Sequence, residues 1–253
     1  MSVIIKNADA IDKMRTAGKL LSQLFENIES IIVVGQSTEY IDRWIEQQLL
    51  SYQLVSQSMG YNGYKHVSCI SVNDVVVHGV PSALVVLHEG DLVKVDVCAA
   101  WQGYCADMAR CYIVGKAQNS FVNQLLSVAK ESLDVGIAQA VVGNRLFDIS
   151  AAIQKYAERH NYGIVRDFAG HGIGKKMHEE PDVPNFGTAG TGMRLKAGMT
   201  FAIEPMITHG SYEVYIGSDG WTVKTEDASW AAHVEDTILI TESGPEILTR
   251  PSK

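Results

Sequence analysis

Residues 87–96 read LHEGDLVKVD, and residues 195–204 read LKAGMTFAIE. The two stretches share a leucine, a glycine and a terminal acid at the same spacing, and in both the acid ends a run of β type. The offset between them is 108 residues, from Leu87 to Leu195. The same offset relates Val33-Val34-Gly35 to Val141-Val142-Gly143. Repetition at one fixed offset indicates a duplicated unit, so the sequence predicts two equivalent halves.

Each half is predicted to run helix, helix, sheet. Apolar residues at three- and four-residue spacings predict the helices, and β-rich runs between Gly- and Pro-containing turns predict the strands. The predicted helices cover about 11–32, 41–49, 121–133 and 146–156, and the predicted strands cover about 68–78, 92–99 and several runs from 164 onward. We therefore expect an α+β protein with halves at about 9–115 and 119–248, which together form one domain of residues 1–253.

The composition argues against several classes of function. The chain has 253 residues, 46% of them apolar, and a net charge of −8. It can therefore bury a large core, and it offers no basic footprint for nucleic acid or anionic lipid. No apolar stretch approaches the roughly 18 residues of a membrane span, and the start lacks a hydrophobic signal segment. We expect a cytoplasmic protein without nucleic-acid or membrane partners, whose four cysteines stay reduced.

Two pairs of acids mark the candidate site. Asp96 and Asp107 flank the turn signal Trp101-Gln102-Gly103, so a hairpin would place them opposite each other on adjacent strands. Glu204 ends one β-type run of the second half, and Glu235 begins another. Any one of these acids alone would more simply be solvated or paired with Lys or Arg. Four together on one sheet repel unless cations occupy the site, and two divalent ions would balance them.

Three histidines lie at unusual backbone positions. His171 stands between glycines in Gly170-His171-Gly172, which lets other backbone approach closely and leaves the imidazole unobstructed. His178 begins His178-Glu179-Glu180-Pro181, and His78 precedes the turn at Gly79. A lone histidine is usually structural, but this set suggests one ligand and two acid/base or hydrogen-bonding groups. An oxygen-rich set with one imidazole favours Mn, Fe, Co or Zn, so we interpret the cluster as a hydrolytic two-metal centre.

These motifs together resemble the type I methionine aminopeptidases, which share the pita-bread fold with creatinases and prolidases. The resemblance covers essentially the whole chain and depends on Asn73–Pro81, Val95-Asp96-Val97, Ala106-Asp107, Gly170–Gly174, His178–Pro181, Ile203–Met206 and Glu235-Asp236-Thr237. It implies two pseudo-symmetric halves around an antiparallel sheet. It also implies that the metal ligands are Asp96, Asp107, His171, Glu204 and Glu235, and that His78 and His178 sit over the substrate.

The resemblance further implies an enzyme that removes the N-terminal methionine from nascent proteins when the second residue is small. A hydroxide bridging two divalent ions, whether Co, Mn, Fe or Zn, would attack the carbonyl. Glu204 would handle its proton, His178 would stabilise the oxyanion and His78 would contact the scissile amide nitrogen. The methionine pocket would be lined by Ser58, Tyr61, Tyr64, Cys69, Met177 and Trp221. We expect a monomer that acts on chain ends at the ribosome.

The sequence departs from the family pattern at a few positions without losing a ligand. Asp236 stands where relatives usually have histidine and would add negative charge beside the metals. Ser58 and Met177 replace the more usual Cys and Phe of the pocket, and Asn62 and Lys65 replace His and Pro. Ser58 and Met177 therefore leave the shape of the methionine pocket open.

Two alternative functions fit parts of the pattern. One is another pita-bread hydrolase, such as an aminopeptidase that cleaves before proline or a creatinase-like enzyme, although these usually carry an extra N-terminal domain. The other is a non-enzymatic binding protein on the same fold, in which lost ligands would be expected.

Overall fold

Four α-helices form two pairs in the structure, which is a computed structural model. It describes residues 3–250, so positions 1–2 and 251–253 of the expected domain lie outside the described residues. The helices are α1 (Ala8–Ile28), α2 (Thr38–Ser51), α3 (Ser120–Ile137) and α4 (Leu146–Arg159). The helix α1 begins where the side chain of Asn7 accepts a hydrogen bond from the backbone of Ala10, at 2.9 Å. It ends earlier than predicted, because the chain continues as a 3-10 turn over Glu29–Ile31. A second 3-10 turn covers Tyr61–Gly63.

Fifteen strands are present among the described residues. They are β1 (Val55–Ser56), β2 (Cys69–Val72), β3 (Val75–Val77), β4 (Leu92–Trp101), β5 (Tyr104–Ile113), β6 (Gly163–Ile164), β7 (Ala169–Gly172), β8 (Glu179–Pro184), β9 (Thr200–Ile203), β10 (Met206–Thr208), β11 (Val214–Ile216), β12 (Val223–Thr225), β13 (Ala231–His233), β14 (Glu235–Thr241) and β15 (Gly244–Ile247). The run at 68–78 is therefore two strands rather than one, because Asn73 adopts a left-handed backbone, with a φ of 51°.

Nine of the strands form one antiparallel sheet. Its order is β1-β4-β5-β14-β9-β7-β8, with β2 added beside β4 and β15 beside β14. Two small sheets, β13-β10-β6 and β11-β12-β3, complete the architecture. One apolar cluster packs α1 and α2 against β4 and β5, and another packs α3 and α4 against β9 and β14. The strand β14 joins the two halves of the large sheet, so the α+β prediction is confirmed.

The duplication extends to individual hydrogen bonds. The backbone N–H of Gly35 donates to the carbonyl of Leu87 at 2.9 Å, and Gly143 donates to Leu195 in the same way at 3.2 Å. Both glycines have a positive φ, 87° and 95°, which a residue without Cβ adopts at no steric cost. The repeated residues therefore form the same turn before the second helix of each half.

The hairpin of β4 and β5 carries the first pair of acids. Gln102 and Gly103 form its two-residue turn, both with positive φ, so Asp96 lies opposite Ala109 and Asp107 opposite Cys98. The expectation that the two acids lie directly opposite each other is therefore wrong. They are diagonal neighbours on one face of the sheet, because this turn sets the register two residues away from direct pairing.

The segment before α1 is fixed by a buried ion pair. The ammonium of Lys6 lies 2.8 Å from the carboxylate of Glu179, and the two side chains are only 4% and 8% exposed. The backbone N–H of Lys6 also donates to the carbonyl of Gly198, at 2.8 Å. The first described residues are thereby attached to β8, the strand that begins next to His178. Among the described residues, no helix combines the length and the apolar character needed to cross a membrane.

We predict that Lys6→Ala destabilises the protein by about 3 to 5 kcal/mol, because it leaves the buried carboxylate of Glu179 without its partner. The measurement is the free energy of unfolding in urea. Lys13→Ala is the matched control, since Lys13 pairs with the well-exposed Asp9, and its cost should stay below about 1 kcal/mol. Equal losses in the two variants would contradict the prediction.

Candidate metal centre

Five neighbouring strands bring the predicted acids and His171 to one face of the large sheet. Asp96 lies on β4 opposite Ala109 of β5, and Ala109 also lies opposite Glu235, the first residue of β14. Directly opposed residues share a face, so these positions point to the same side as Asp107. His171 comes from β7, whose partner strand β9 ends one residue before Glu204.

The ligand atoms lie at separations that suit a shared cation. The Nε2 of His171 is 3.8 Å from the nearer oxygen of Asp107 and 3.7 Å from that of Glu204. One ligand atom each from Asp107, His171 and Glu235 falls within 4.8 Å of the others. These gaps are too long for hydrogen bonds. Two atoms that each lie about 2.0 to 2.2 Å from one ion are separated by up to about 4.4 Å, which includes the 3.7 and 3.8 Å gaps.

His171 is held in the tautomer that a metal requires. Its Nδ1 lies 2.9 Å from the carbonyl oxygen of Gly172, which can only accept, so Nδ1 carries the proton and Nε2 offers a lone pair. Burial lowers the pKa of His171 to about 3, so the ring is neutral. The flanking glycines are required, because a Cβ at position 170 or 172 would collide with backbone carbonyls of Ala202 and Glu180.

The carboxylates are in an environment that disfavours their charge unless cations are present. Burial and the neighbouring Glu204 raise the pKa of Asp107 to about 7, and burial raises that of Glu204 to about 8. Burial and Asp107 raise the pKa values of Asp96 and Glu235 as well. One buried oxygen of Glu235, Oε1, has no hydrogen-bond partner. A bound metal would supply both the missing charge and the missing partner, so the residues present fit a metal site.

One cavity of about 110 Å³ brings the predicted site residues together. Its lining consists of Ser58, Tyr61, Tyr64, Cys69, His78, Asp96, Cys98, Asp107, His171, Met177, His178, Glu204, Trp221 and Glu235. A larger cleft of about 840 Å³ shares His78, His171, His178 and Glu204 with it. The candidate metal ligands, the two further histidines and the predicted apolar pocket residues therefore form one continuous site.

The two further histidines are oriented by aromatic neighbours. The Nδ1 of His178 lies 2.9 Å from the hydroxyl of Tyr61, and its ring packs edge-on against His171 at 4.4 Å between centroids. His78 has a φ of 56° and packs edge-on against Phe168. Burial lowers the pKa of His78 to about 4 and also lowers that of His178, so both rings are neutral.

The negative charge of Asp236 helps to raise the pKa of Glu235, as expected, but this charge is paired on the other side of the sheet. Successive residues of a strand point to opposite faces, and Asp236 points away from Glu235. On the other face, Arg110 and Arg250 donate to its two oxygens at 2.6 and 2.7 Å, and the hydroxyl of Thr249 donates at 2.7 Å. Two arginines therefore balance this fully buried carboxylate.

The sequence analysis missed two residues of the site. Cys98 lines the cavity opposite Asp107, and its only signal in the sequence is its position two residues after Asp96. His233 is buried with its Nε2 3.2 Å from an oxygen of Glu204. Its signal is its position two residues before Glu235, inside the apolar run Ala231-Ala232-His233-Val234, where a histidine is unusual.

Fold and site together define a metallopeptidase. The sequence model of metallopeptidase family M24 matches residues 12–242, and the chain belongs to that family. It is 46% identical to the methionine aminopeptidase of Clostridium acetobutylicum over 247 residues, which are 98% of each chain. It is 41% identical to the methionine aminopeptidase of Escherichia coli K12 over 250 residues, which are 98% of this chain and 94% of the relative.

Solved structures of methionine aminopeptidases and related proteins share the fold of this chain. The methionine aminopeptidase of Thermotoga maritima superposes with a TM-score of 0.97 at 41% identity, covering 99% of this chain and 100% of that one. The prolidase of Pyrococcus furiosus has a TM-score of 0.78 at 22% identity, covering 99% of this chain and 66% of that one, which shows a shared fold alone. The pita-bread fold and the resemblance inferred from the motifs are therefore confirmed.

We predict that Mn²⁺ raises the unfolding midpoint of the metal-free protein, since an ion that binds only the folded state at 100 times its Kd adds about 2.7 kcal/mol. Glu235→Gln should lose most of this gain, because a carboxamide brings no charge to the site. The measurement is thermal unfolding with and without metal. Glu242→Gln, in the exposed β14–β15 turn, is the control and should keep the full gain. A full gain in Glu235→Gln would contradict the assignment.

Proposed function

We propose that this enzyme removes the N-terminal methionine from polypeptides whose second residue is small. The observation that carries the proposal is the single cavity in which the acids, three histidines and an apolar wall meet. The identity of 41–46% to methionine aminopeptidases over nearly the full chain supports it. Its substrates are peptides with a free N-terminus.

Asp96, Asp107, His171, Glu204 and Glu235 would hold two divalent ions per chain. Four buried carboxylates carry the charge that two such ions balance, and oxygen ligands with one imidazole suit Mn, Fe, Co or Zn. When bound, ions of this kind polarise a carbonyl and lower the pKa of water toward about 7. The metal titration of the wild type counts the ions, and saturation at one per chain would contradict this number.

His178 would stabilise the carbonyl oxygen as negative charge develops on it. If the hydroxyl of Tyr61 donates to Nδ1 of the neutral ring, Nε2 keeps the proton and becomes a hydrogen-bond donor. The 2.9 Å contact would also fix the plane of the ring, so the donor is oriented before the substrate arrives. His178 acts in this scheme without being a metal ligand.

His78 and Glu204 would handle the other polar atoms of the reaction. His78 directly follows β3 in a left-handed conformation, and its side chain lines the cavity, where it would contact the scissile amide nitrogen. Glu204 would take the proton of the attacking water and pass it to the leaving amine. Of the four candidate acids it is the one that borders both cavities, and burial raises its pKa to about 8.

The apolar wall would bind the methionine side chain. Tyr64 and Trp221 pack edge-on at 5.0 Å between centroids, beside Cys69 and Met177. A thioether makes favourable contacts with sulfur and aromatic groups of this kind. Ser58 completes the wall with a hydroxyl, so the pocket would accept a somewhat more polar or bulkier first residue than a wall without it.

An aminopeptidase that cleaves before proline is the alternative within the fold. Its support is the structural similarity to prolidases, which at 22% identity extends to the fold alone. Action as a monomer in the cytoplasm and at the ribosome stays a prediction from the resemblance.

We predict that peptides beginning Met-Ala, Met-Gly or Met-Ser are cleaved and that Met-Leu, Met-Lys, Met-Glu and Xaa-Pro peptides are not. We expect large second residues to be excluded, because the candidate metal ligands and His78 would have to close around the scissile amide. In the first position, norleucine should be a fair substitute for methionine, since an apolar pocket gains only about 1 to 3 kcal/mol per methylene. Released amino acid is the measurement. Equal rates for Met-Ala and Met-Lys would contradict the second-residue claim, and faster cleavage after Leu or Phe than after Met would contradict the methionine assignment.

We predict that His178→Ala keeps its metal content and loses kcat by about 10² to 10³-fold, the range seen when one oxyanion donor is removed. Metal analysis and steady-state kinetics are measured on the same preparation. Tyr61→Phe removes only the orienting hydroxyl and should lose less. Loss of metal together with activity in His178→Ala would show that this histidine is a ligand instead.

A further inference from the structure

The chain crosses between two sheets twice at the same place. Glu204 lies in the link between β9 of the large sheet and β10 of a small one. His233 ends β13 of that small sheet, just before the chain enters β14 of the large one. The two links lie side by side, because Val234 donates its backbone N–H to the carbonyl of Pro205. The topology therefore brings a buried histidine against the acid.

The contact divides the two oxygens of Glu204 between different partners. The Nε2 of His233 is 3.2 Å from Oε2, whereas Oε1 is 3.7 Å from the Nε2 of His171. A metal ligand must be deprotonated and an ionised carboxylate can only accept, so with metal bound His233 would donate its N–H to Oε2 of Glu204. Rotation about the last torsion of a glutamate is otherwise nearly free, since it has no sharp energy wells. One hydrogen bond therefore selects which oxygen faces the candidate ligands.

His233 is itself held and is shielded from the substrate. It is 1% exposed, its backbone carbonyl accepts from the thiol of Cys111 at 3.1 Å, and it is not among the described residues that line the cavity. The backbone carbonyl of Glu204 is fixed in turn by the side-chain amide of Asn185, at 3.0 Å. The backbone is therefore held by a side-chain hydrogen bond at both ends of the contact.

We propose that His233 is a positioning residue that sets the orientation of the Glu204 carboxylate toward the metal centre. The inference rests on the proposed function only for the role of Glu204 in turnover. The orientation itself is a property of the folded chain and of its coordination of metal, so it has a test that requires no substrate.

The experiment compares His233→Leu with His233→Gln in protein loaded with Co²⁺. Leu fills the site without a donor, whereas Gln keeps an N–H donor of similar reach. We expect His233→Leu to change the visible absorption spectrum of Co²⁺ and to lower kcat about 10- to 100-fold with KM nearly unchanged, which corresponds to the loss of one hydrogen bond to a charged group. His233→Gln should restore both the spectrum and most of kcat. His160→Leu, which removes a histidine hydrogen bond at the C-terminal end of α4, is the control and should change neither.

Each remaining outcome contradicts a defined part of the proposal. A wild-type spectrum and rate in His233→Leu, or equal losses in the Leu and Gln variants, would overturn the positioning role. Loss of one Co²⁺ per chain in both variants would make His233 a ligand. If the wild type cleaves no Met-Ala peptide, the proposed function fails, and the spectra of the two variants still decide whether His233 orients Glu204.

Discussion

Repulsion among buried carboxylates is the constraint on which the centre of this structure depends. Asp96, Asp107, Glu204 and Glu235 have raised pKa values because burial removes the water that would stabilise their charge. A site of this kind destabilises the fold when it holds no metal and stabilises it when metal is bound. The free energy of metal binding therefore adds to the free energy of folding. The glycines beside His171 also help to form this site, because they let β8 and β9 approach closely enough to place the imidazole among the acids.

The duplicated architecture explains how such a site is assembled from distant residues. Each half contributes one acid at the end of an equivalent stretch, Asp96 and Glu204, and each contributes a second acid on a strand nearby, Asp107 and Glu235. The antiparallel register then puts them on one face, because directly opposed residues share a side. Neighbouring polar groups then fix the orientation and the tautomer of the histidine rings. The carbonyl of Gly172 selects the tautomer of His171, and the hydroxyl of Tyr61 orients His178.

Local pattern in the sequence was enough to predict the helices, the duplication and the acids and histidines that meet in the cavity. The apolar residues of the same cavity, such as Tyr64, Met177 and Trp221, were expected only from the resemblance to a known family. Local pattern was not enough where contact depends on a distant partner. Arg110 lies 126 residues from Asp236, and nothing in either neighbourhood indicates their pairing. His233 approaches Glu204 only because two chain links run side by side between sheets. The diagonal placement of Asp96 and Asp107 depended on the length of one turn, which spacing alone does not fix.

The position of β14 in the sheet has a consequence for biosynthesis. This strand lies between β5 and β9, yet it comes from residues 235–241 of a chain of 253. Until residues 235–241 have been synthesised and have folded into the sheet, β5 and β9 have open edges whose N–H and C=O groups can pair with other polypeptides. The incomplete protein also lacks Glu235, so it has an unfinished metal site. The growing chain is therefore most exposed to aggregation, and least able to bind metal, before β14 has inserted between β5 and β9.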